Sequence, residues 1–210
     1  MPEQHPPNYT DHAPTLHPAR ALVPLHQRHG APFSLVDLER WFLLARGLFK
    51  ALKTDCYFEG PPPLELRDVA DRAQRHDLAL SLRTPDVGHV ANLPPDLWTR
   101  LLDLAVDVTP HTRPADLRAA LDAAAAHGCN VRLLLLAPWP ADLRQRLAPA
   151  VGHPAVRAAW FTLDVPRPEP PSRNAQETAT SLAALREAAA ALHDAGHAVH
   201  ILGVPTQHLG

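Results

Sequence analysis

The sequence is poor in cysteine and in lysine. Its only two cysteines, Cys56 and Cys129, lie far apart, and neither belongs to a C-x-x-C pair. This excludes a disulfide scaffold, a zinc ribbon and an ordinary cysteine-ligated cluster, so we predict two buried, reduced thiols. The only lysines, Lys50 and Lys53, fall at the end of the first predicted helix. No lysine is therefore placed to form a Schiff base at the strand ends, which removes a large share of barrel enzymes.

Long apolar runs are also missing. No stretch of about 18 apolar residues occurs, and Met1 to Tyr9 has neither the basic start nor the apolar centre of a secretion signal. These absences predict a cytoplasmic protein without a membrane-spanning segment. The formal net charge of -2 gives no electrostatic reason to expect nucleic acid as a partner.

Several catalytic motifs are absent. The first predicted strand is not followed by the glycine-rich turn of a dinucleotide-binding sheet, and no G-x-x-x-x-G-K-[ST] loop occurs. No G-x-S-x-G elbow is present either, and its absence speaks against a serine hydrolase.

The residues that are present predict one domain of alternating strands and helices. Met1 to Arg20 combines proline, histidine and aspartate without apolar periodicity, so we predict a flexible lead before a single domain over residues 21–210. Short apolar runs bounded by turn residues predict strands at 21–25, 56–58, 78–82, 106–108, 131–136, 158–163 and 200–204. Leucine and alanine at helical spacing predict helices at 34–52, 64–76, 95–104, 114–127, 140–147 and 176–195.

Strands joined by crossover helices form a mainly parallel sheet, which leaves two closures. One is a partial or full (β/α) barrel of the TIM type, and the other is an open doubly wound sheet. Because the nucleotide-binding turns are absent, we favour the barrel.

Fourteen histidines are present, and some have plain structural roles. His76, His127 and His197 each stand where a predicted helix gives way to a strand, and an imidazole there complements the negative end of the helix dipole.

In either closure, functional groups collect at the carboxyl ends of the strands, where the βα loops open. Histidine and carboxylate side chains at several of these ends have the chemistry to converge on one divalent cation, which would support a hydrolase or an isomerase using a metal-bound water. The candidate ligands are His29, His111, Asp164 and His208, with Glu59 beside them.

The order of elements resembles the core of the radical S-adenosylmethionine (radical SAM) superfamily over about residues 21–210. The first strand, Leu22-Val-Pro-Leu25, and the loop 26–33 resemble that family's first strand and cluster loop. Residues 56–64 resemble the second strand with the turn that holds the methionine end of the cofactor. Residues 78–84 and 201–207 resemble the third and the closing strands.

The resemblance lacks the parts that carry the chemistry. The three cluster cysteines of the family would fall on Leu25, His29 and Pro32, so an ordinary [4Fe-4S] cluster is not expected. The family's turn glutamate would fall on Pro62, with Glu59 displaced upstream. The resemblance therefore implies a pseudoenzyme, a non-catalytic module that binds a small molecule or docks a partner, with Glu59, Arg83 and Gln207 at the binding face.

A third hypothesis is an interaction domain. The first predicted helix carries Trp41, Phe42 and Phe49, an apolar surface wider than one stripe. Such a helix pairs with another chain, including a second copy as a homo-oligomer, or is buried on two sides.

Overall fold

The computed structural model describes residues 20–25, 34–47, 51–62, 65–136, 139–165 and 175–205. Within these ranges the strands are β1 Arg20–Pro24, β2 Lys53–Tyr57, β3 Ala79–Thr84, β4 Leu101–Val108, β5 Asn130–Leu136, β6 Val156–Val165 and β7 Ala198–Pro205. The helices are α1 Leu35–Gly47, α2 Leu66–Arg75, α3 Pro95–Trp98, α4 Pro114–Ala126, α5 Leu143–Leu147 and α6 Ala175–Asp194. Two short 3₁₀ segments follow β3 and α5, at Val87–Asn92 and Ala148–Ala150.

The strand order identifies the architecture. The seven strands form one sheet in the order β1-β2-β3-β4-β5-β6-β7, and every neighbouring pair is parallel. A doubly wound sheet reverses its strand order at a switch point, whereas a (β/α) barrel keeps the order of the chain. The fold is therefore a parallel (β/α) barrel. In the part of the chain that the structure describes, β1 and β7 are the edge strands of the sheet.

One face of the sheet packs against the helices. Residues alternate between the two faces along each strand, and one set joins the main apolar core together with helix residues such as Phe42 and Leu117. The strand members of this core include Cys56, Leu82, Val106, Leu133 and Phe161.

The opposite face of the sheet carries charged residues, and these are buried as well. Asp55, Arg83, Asp103, Asp107 and Arg132 are each at most 8% exposed. Arg132 on β5 hydrogen-bonds Asp55 on β2, three strands away, with 3.0 Å between Nη2 and Oδ1. Curvature of the sheet explains both observations, because side chains from distant strands meet on the concave side of a barrel and exclude water there.

Local sequence signals explain several element ends. The Ser34 hydroxyl accepts a hydrogen bond from the backbone N–H of Asp37 at 3.4 Å and so caps α1. Pro114 stands in the first turn of α4, where its missing N–H costs nothing. Gly128 and Gly196 follow α4 and α6 with φ of +67° and +87°, a conformation that favours glycine.

The predicted alternation of strands and helices is confirmed, but several boundaries are wrong. The helix predicted over 95–104 ends at Trp98, and Leu101 already begins β4. Leu97, Leu101 and Leu104 have helical spacing, yet Asp103 and Asp107 alternate with apolar residues as a strand inside a barrel requires. Lys53 begins β2 and does not end a helix, and Arg20 belongs to β1, not to the lead.

The predicted burial of the thiols is confirmed, and the three histidines at the helix ends each contact a neighbouring residue. Cys56 and Cys129 are both free and buried. His76 lies 2.5 Å from Glu39, measured from Nε2 to Oε1, and His127 stacks on Trp98 with 5.4 Å between the ring centroids. His197 accepts a hydrogen bond from the backbone N–H of Gly152 at 2.9 Å. No helix in the described ranges is long and apolar enough to cross a membrane.

Candidate binding site at the carboxyl end of the barrel

Arg83 is the predicted site residue whose surroundings are described most fully. It lies one residue before the end of β3, on the concave face, and is 8% exposed. Tyr57 is its partner in register on β2 and Ala105 its partner on β4. Arg83 therefore stands near the carboxyl end of the barrel, the end at which the βα loops open.

Asp107 on β4 holds the Arg83 guanidinium. The Nε atom of Arg83 lies 2.8 Å from Oδ1 and 3.1 Å from Oδ2 of Asp107, so both carboxylate oxygens share one donor. Neither terminal nitrogen of Arg83 donates a hydrogen bond to any residue that the structure describes. Burial raises the pKa of Asp107 above its usual value, and the charge of Arg83 opposes this rise.

Tyr57 connects this ion pair to Glu59. The guanidinium carbon of Arg83 lies 5.7 Å from the centroid of the Tyr57 ring, within the range of a cation–π contact. The Tyr57 hydroxyl donates a hydrogen bond to Oε1 of Glu59 at 2.5 Å. Burial, and then this bond to Glu59, raise the pKa of Tyr57, so its hydroxyl keeps the proton that it donates. Glu59 is itself exposed.

The turn that carries Glu59 is tied to the turn after β3. Gly60 adopts a φ of +71°, and its backbone N–H donates to Oδ2 of Asp86. Asp86 in turn donates its own backbone N–H to the hydroxyl of Thr84 at 3.0 Å. These bonds hold Glu59 beside Tyr57 at the rim of the barrel.

A second ionic cluster lies nearer the amino ends of the strands. Arg132 binds Asp103 through two hydrogen bonds, Nε to Oδ2 at 3.0 Å and Nη2 to Oδ1 at 2.8 Å, and it also binds Asp55. Burial by itself would lower the pKa of Arg132, but the charges of Asp55 and Asp103 raise it. Arg132 therefore keeps its charge, and it joins β2, β4 and β5 inside the barrel.

A small apolar cluster also lies on the concave face. It consists of Ala105, Leu134 and Trp160, with Ala158 packed against it. The ring of Trp160 contacts that of His200 on β7, with 4.6 Å between the centroids. These side chains lie on the same face of the sheet as the ionic cluster.

The predicted metal ligands are only partly described. His111 is exposed on the turn after β4, where its backbone N–H donates to the Thr109 hydroxyl at 3.2 Å. Asp164 lies on β6 in register with Val204. His29, Gln207, His208 and the side chain of Asp164 lie outside the described residues. Among the side chains that are described, no three from histidine, cysteine, aspartate or glutamate form a group that could hold a metal ion.

The iron–sulfur cluster that is typical of the radical SAM superfamily does not fit this chain. Leu25, the position of the first cluster cysteine, is 2% exposed and belongs to the apolar core under the helices. Its backbone N–H donates to the Tyr57 carbonyl at 2.7 Å, which continues the pairing of β1 with β2. Neither Leu25 nor Pro32 has a side chain that can bind iron.

Asp107, Tyr57 and the residues of the Arg132 cluster were not among the site residues predicted from the sequence. A signal for them was present, because polar residues recur two or four positions apart in four of the strands. The alternating set comprises Lys53, Asp55 and Tyr57 on β2, Ser81 and Arg83 on β3, Asp103 and Asp107 on β4, and Asn130 and Arg132 on β5. Strands of a parallel sheet that is apolar on both faces lack this alternation.

Comparison with known proteins identifies no family. No family model matches the chain, and no curated protein matches it. Among solved structures, a mutant tryptophan synthase alpha-subunit from Pyrococcus furiosus aligns with a TM-score of 0.44 and 14% identity, over 88% of this chain and 86% of that one. A HpcH/Hpal aldolase/citrate lyase family protein from Burkholderia cenocepacia aligns with a TM-score of 0.38 and 15% identity, over 88% and 87%. Scores this low support no inference about activity, and the barrel assignment rests on the strand order.

Proposed function

We propose that this protein is a non-catalytic, radical-SAM-like barrel that binds a small molecule carrying an anionic group at the carboxyl end of its strands. The observation that carries the proposal is the state of Arg83, a buried guanidinium whose terminal nitrogens donate to no described residue. The terminal nitrogens are therefore open to an acceptor, and a carboxylate or phosphate is the acceptor that best fits a guanidinium edge.

Asp107 and Tyr57 support this role because they orient Arg83 without covering its terminal nitrogens. Asp107 engages only Nε, and Tyr57 contacts the guanidinium through its ring. A binding group held in one orientation before the ligand arrives loses less conformational entropy on binding.

Glu59 suggests a second feature of the ligand. Its Oε1 accepts the Tyr57 hydroxyl, and its Oε2 accepts no hydrogen bond from a described residue. That oxygen suits a hydroxyl or an amino group. The proposed ligand class is therefore a small molecule with a carboxylate or phosphate and a nearby hydroxyl or amine.

The binding half of the proposal is tested by thermal unfolding with increasing inorganic phosphate, and separately with malonate. We expect a saturable rise in Tm of about 5 °C for the wild-type chain. Arg83→Met combined with Asp107→Leu removes the anion site without leaving a lone buried charge, and this variant should lose the response. Arg67→Met is the control, because Arg67 is an exposed guanidinium that pairs with Asp96 on the helical surface. An equal, saturable response in the double variant would overturn the proposal.

The non-catalytic half is tested on protein purified without oxygen. We expect no iron, no acid-labile sulfide and no cleavage of S-adenosylmethionine on addition of dithionite. Stoichiometric iron and sulfide, with the broad visible absorption of a [4Fe-4S] cluster, would contradict it.

A further inference from the structure

Helix α1 exposes an apolar surface that the barrel does not cover. Val36, Trp41, Leu43 and Leu44 are 64%, 49%, 55% and 45% exposed. We call these four residues, with Asp37 and Arg40 between them, the outer face of α1. Single exposed apolar residues are ordinary, but four large ones on a helix of 13 residues form a patch typical of an interface.

The position of α1 in the fold explains why this face is open. Leu38 and Phe42 point into the core, and Glu39 faces α2, where it contacts Arg72 and His76. Trp41 follows Glu39 by two residues, about 200° around the helix, and so lies on the flank away from α2. In a closed (β/α) barrel, the flank of a helix that carries Trp41 here would pack against the helix before it. Helix α1 follows β1, which is an edge strand of the described sheet, so no described helix precedes it there.

Two side chains of opposite charge lie in the middle of the outer face of α1. Asp37 and Arg40 form an exposed pair with 3.3 Å between Oδ1 and Nη1, and their side chains remain 51% and 73% exposed. Asp37 and Arg40 lie about one helical turn apart. When the α1 helix of a second copy packs antiparallel on this face, each aspartate can therefore lie opposite the arginine of the other copy.

We propose that the protein forms a two-fold dimer in which the outer faces of two α1 helices pack antiparallel. With the axis near Glu39 and Arg40, helix geometry sets Asp37 of each copy beside Arg40 of the other. The same arrangement sets Val36 of each copy against Leu43 of the other. Each contact occurs twice, and the two reciprocal ion pairs define the antiparallel direction.

The dimer is tested by sedimentation velocity from about 1 to 100 μM, the range in which a dimer of micromolar Kd dissociates. We expect a dimer that dissociates on dilution. Arg40→Asp and Asp37→Arg each set like charges opposite one another and should weaken association about tenfold. The double exchange Asp37→Arg with Arg40→Asp restores the opposite charges and should recover most of the affinity.

Two further variants separate the interface from folding. Leu43→Glu buries an unpaired charge in the proposed interface and should abolish dimerisation while the circular dichroism spectrum and Tm stay unchanged, because Leu43 is exposed in the single chain. The control is the exposed pair Arg67 and Asp96 on α2 and α3, whose charge reversal should leave association unchanged. A monomer at all concentrations, or a dimer indifferent to every α1 variant, would overturn the proposal.

Discussion

Arg132 on β5 reaches Asp55 on β2 across the inside of the barrel, with 3.0 Å between Nη2 of the arginine and Oδ1 of the aspartate. Two strands, β3 and β4, lie between the two residues in the sheet, and 77 positions separate them in sequence. The same guanidinium binds Asp103 on β4, so one side chain joins three strands where the sheet curves. This contact is a direct consequence of barrel curvature.

Arg132→Met should lower the free energy of unfolding by about 3–5 kcal/mol, because it leaves two buried carboxylates without their cation. Urea unfolding followed by circular dichroism measures the loss. Adding Asp55→Asn and Asp103→Asn to Arg132→Met should restore part of it. Arg157→Met on β6 is the control, since Arg157 is exposed and should change stability little. A loss below about 1 kcal/mol for Arg132→Met would mean that the cluster does not hold the barrel together.

Anion binding at Arg83 should strengthen as the pH falls. The pKa of Asp107 is raised, so Asp107 begins to take up a proton above the usual range of an aspartate, and its protonation leaves the charge of Arg83 uncompensated. Sulfate stays fully ionised, and its affinity should rise severalfold between pH 7 and about pH 5. Asp107→Asn should bind sulfate more tightly at pH 7 and show a flat profile. A profile in Asp107→Asn that matches the wild type would assign the titration to another group.

The two thiols should react slowly in the folded protein. Burial raises the pKa of Cys129 to about 11 and also raises the pKa of Cys56. At pH 8 the thiolate fraction of Cys129 is then about a hundredfold lower than that of an ordinary cysteine. A chromogenic disulfide reagent should label neither thiol within minutes and both after unfolding in guanidinium. Fast labelling of Cys129→Ser, in which only Cys56 remains, would show that Cys56 is accessible.

Glu39 should link α1 to α2 in a pH-dependent way. Hydrogen bonds from His76, and then from Arg72, lower the pKa of Glu39 below that of an unfolded chain. Its contribution to stability is therefore present above the usual glutamate pKa of about 4.3 and is lost as the pH falls through the lower folded value. Glu39→Gln should cost less than about 1 kcal/mol at pH 7, and this cost should shrink in acid. Glu65→Gln, an exposed change just before α2, is the matched control for the Tm series.

The metal-dependent alternative makes a separate prediction. If His29, His111, Asp164 and His208 hold a divalent cation, elemental analysis of chelator-free protein should find about one equivalent of zinc, manganese or nickel. His111→Ala should then lose most of that metal. One equivalent that survives both His111→Ala and Asp164→Asn would place the metal elsewhere.

How much could be predicted from the sequence depended on the range of the interaction. The strands and helices follow from apolar periodicity and from turn residues, which are local signals, and the chain order of the sheet follows from short crossover connections. The place of Arg83 at a strand end was predicted for the same reason, and the buried thiols were predicted from the absence of a C-x-x-C pair. The helix predicted over 95–104 was wrong because Leu97, Leu101 and Leu104 fit a helical period, while the two aspartates of β4 were not recognised as residues of a barrel interior.

The tertiary structure alone decided which polar side chains meet. Arg83 finds Asp107, and Arg132 finds Asp55 and Asp103, only once strand register and sheet curvature are set, and neither quantity is encoded in a short stretch of residues. The same holds for α1. The sequence of α1 determined that this helix carries more apolar surface than its contact with the core covers. The place of α1 beside an edge strand decided that Phe42 is buried while Trp41 and Leu43 remain exposed.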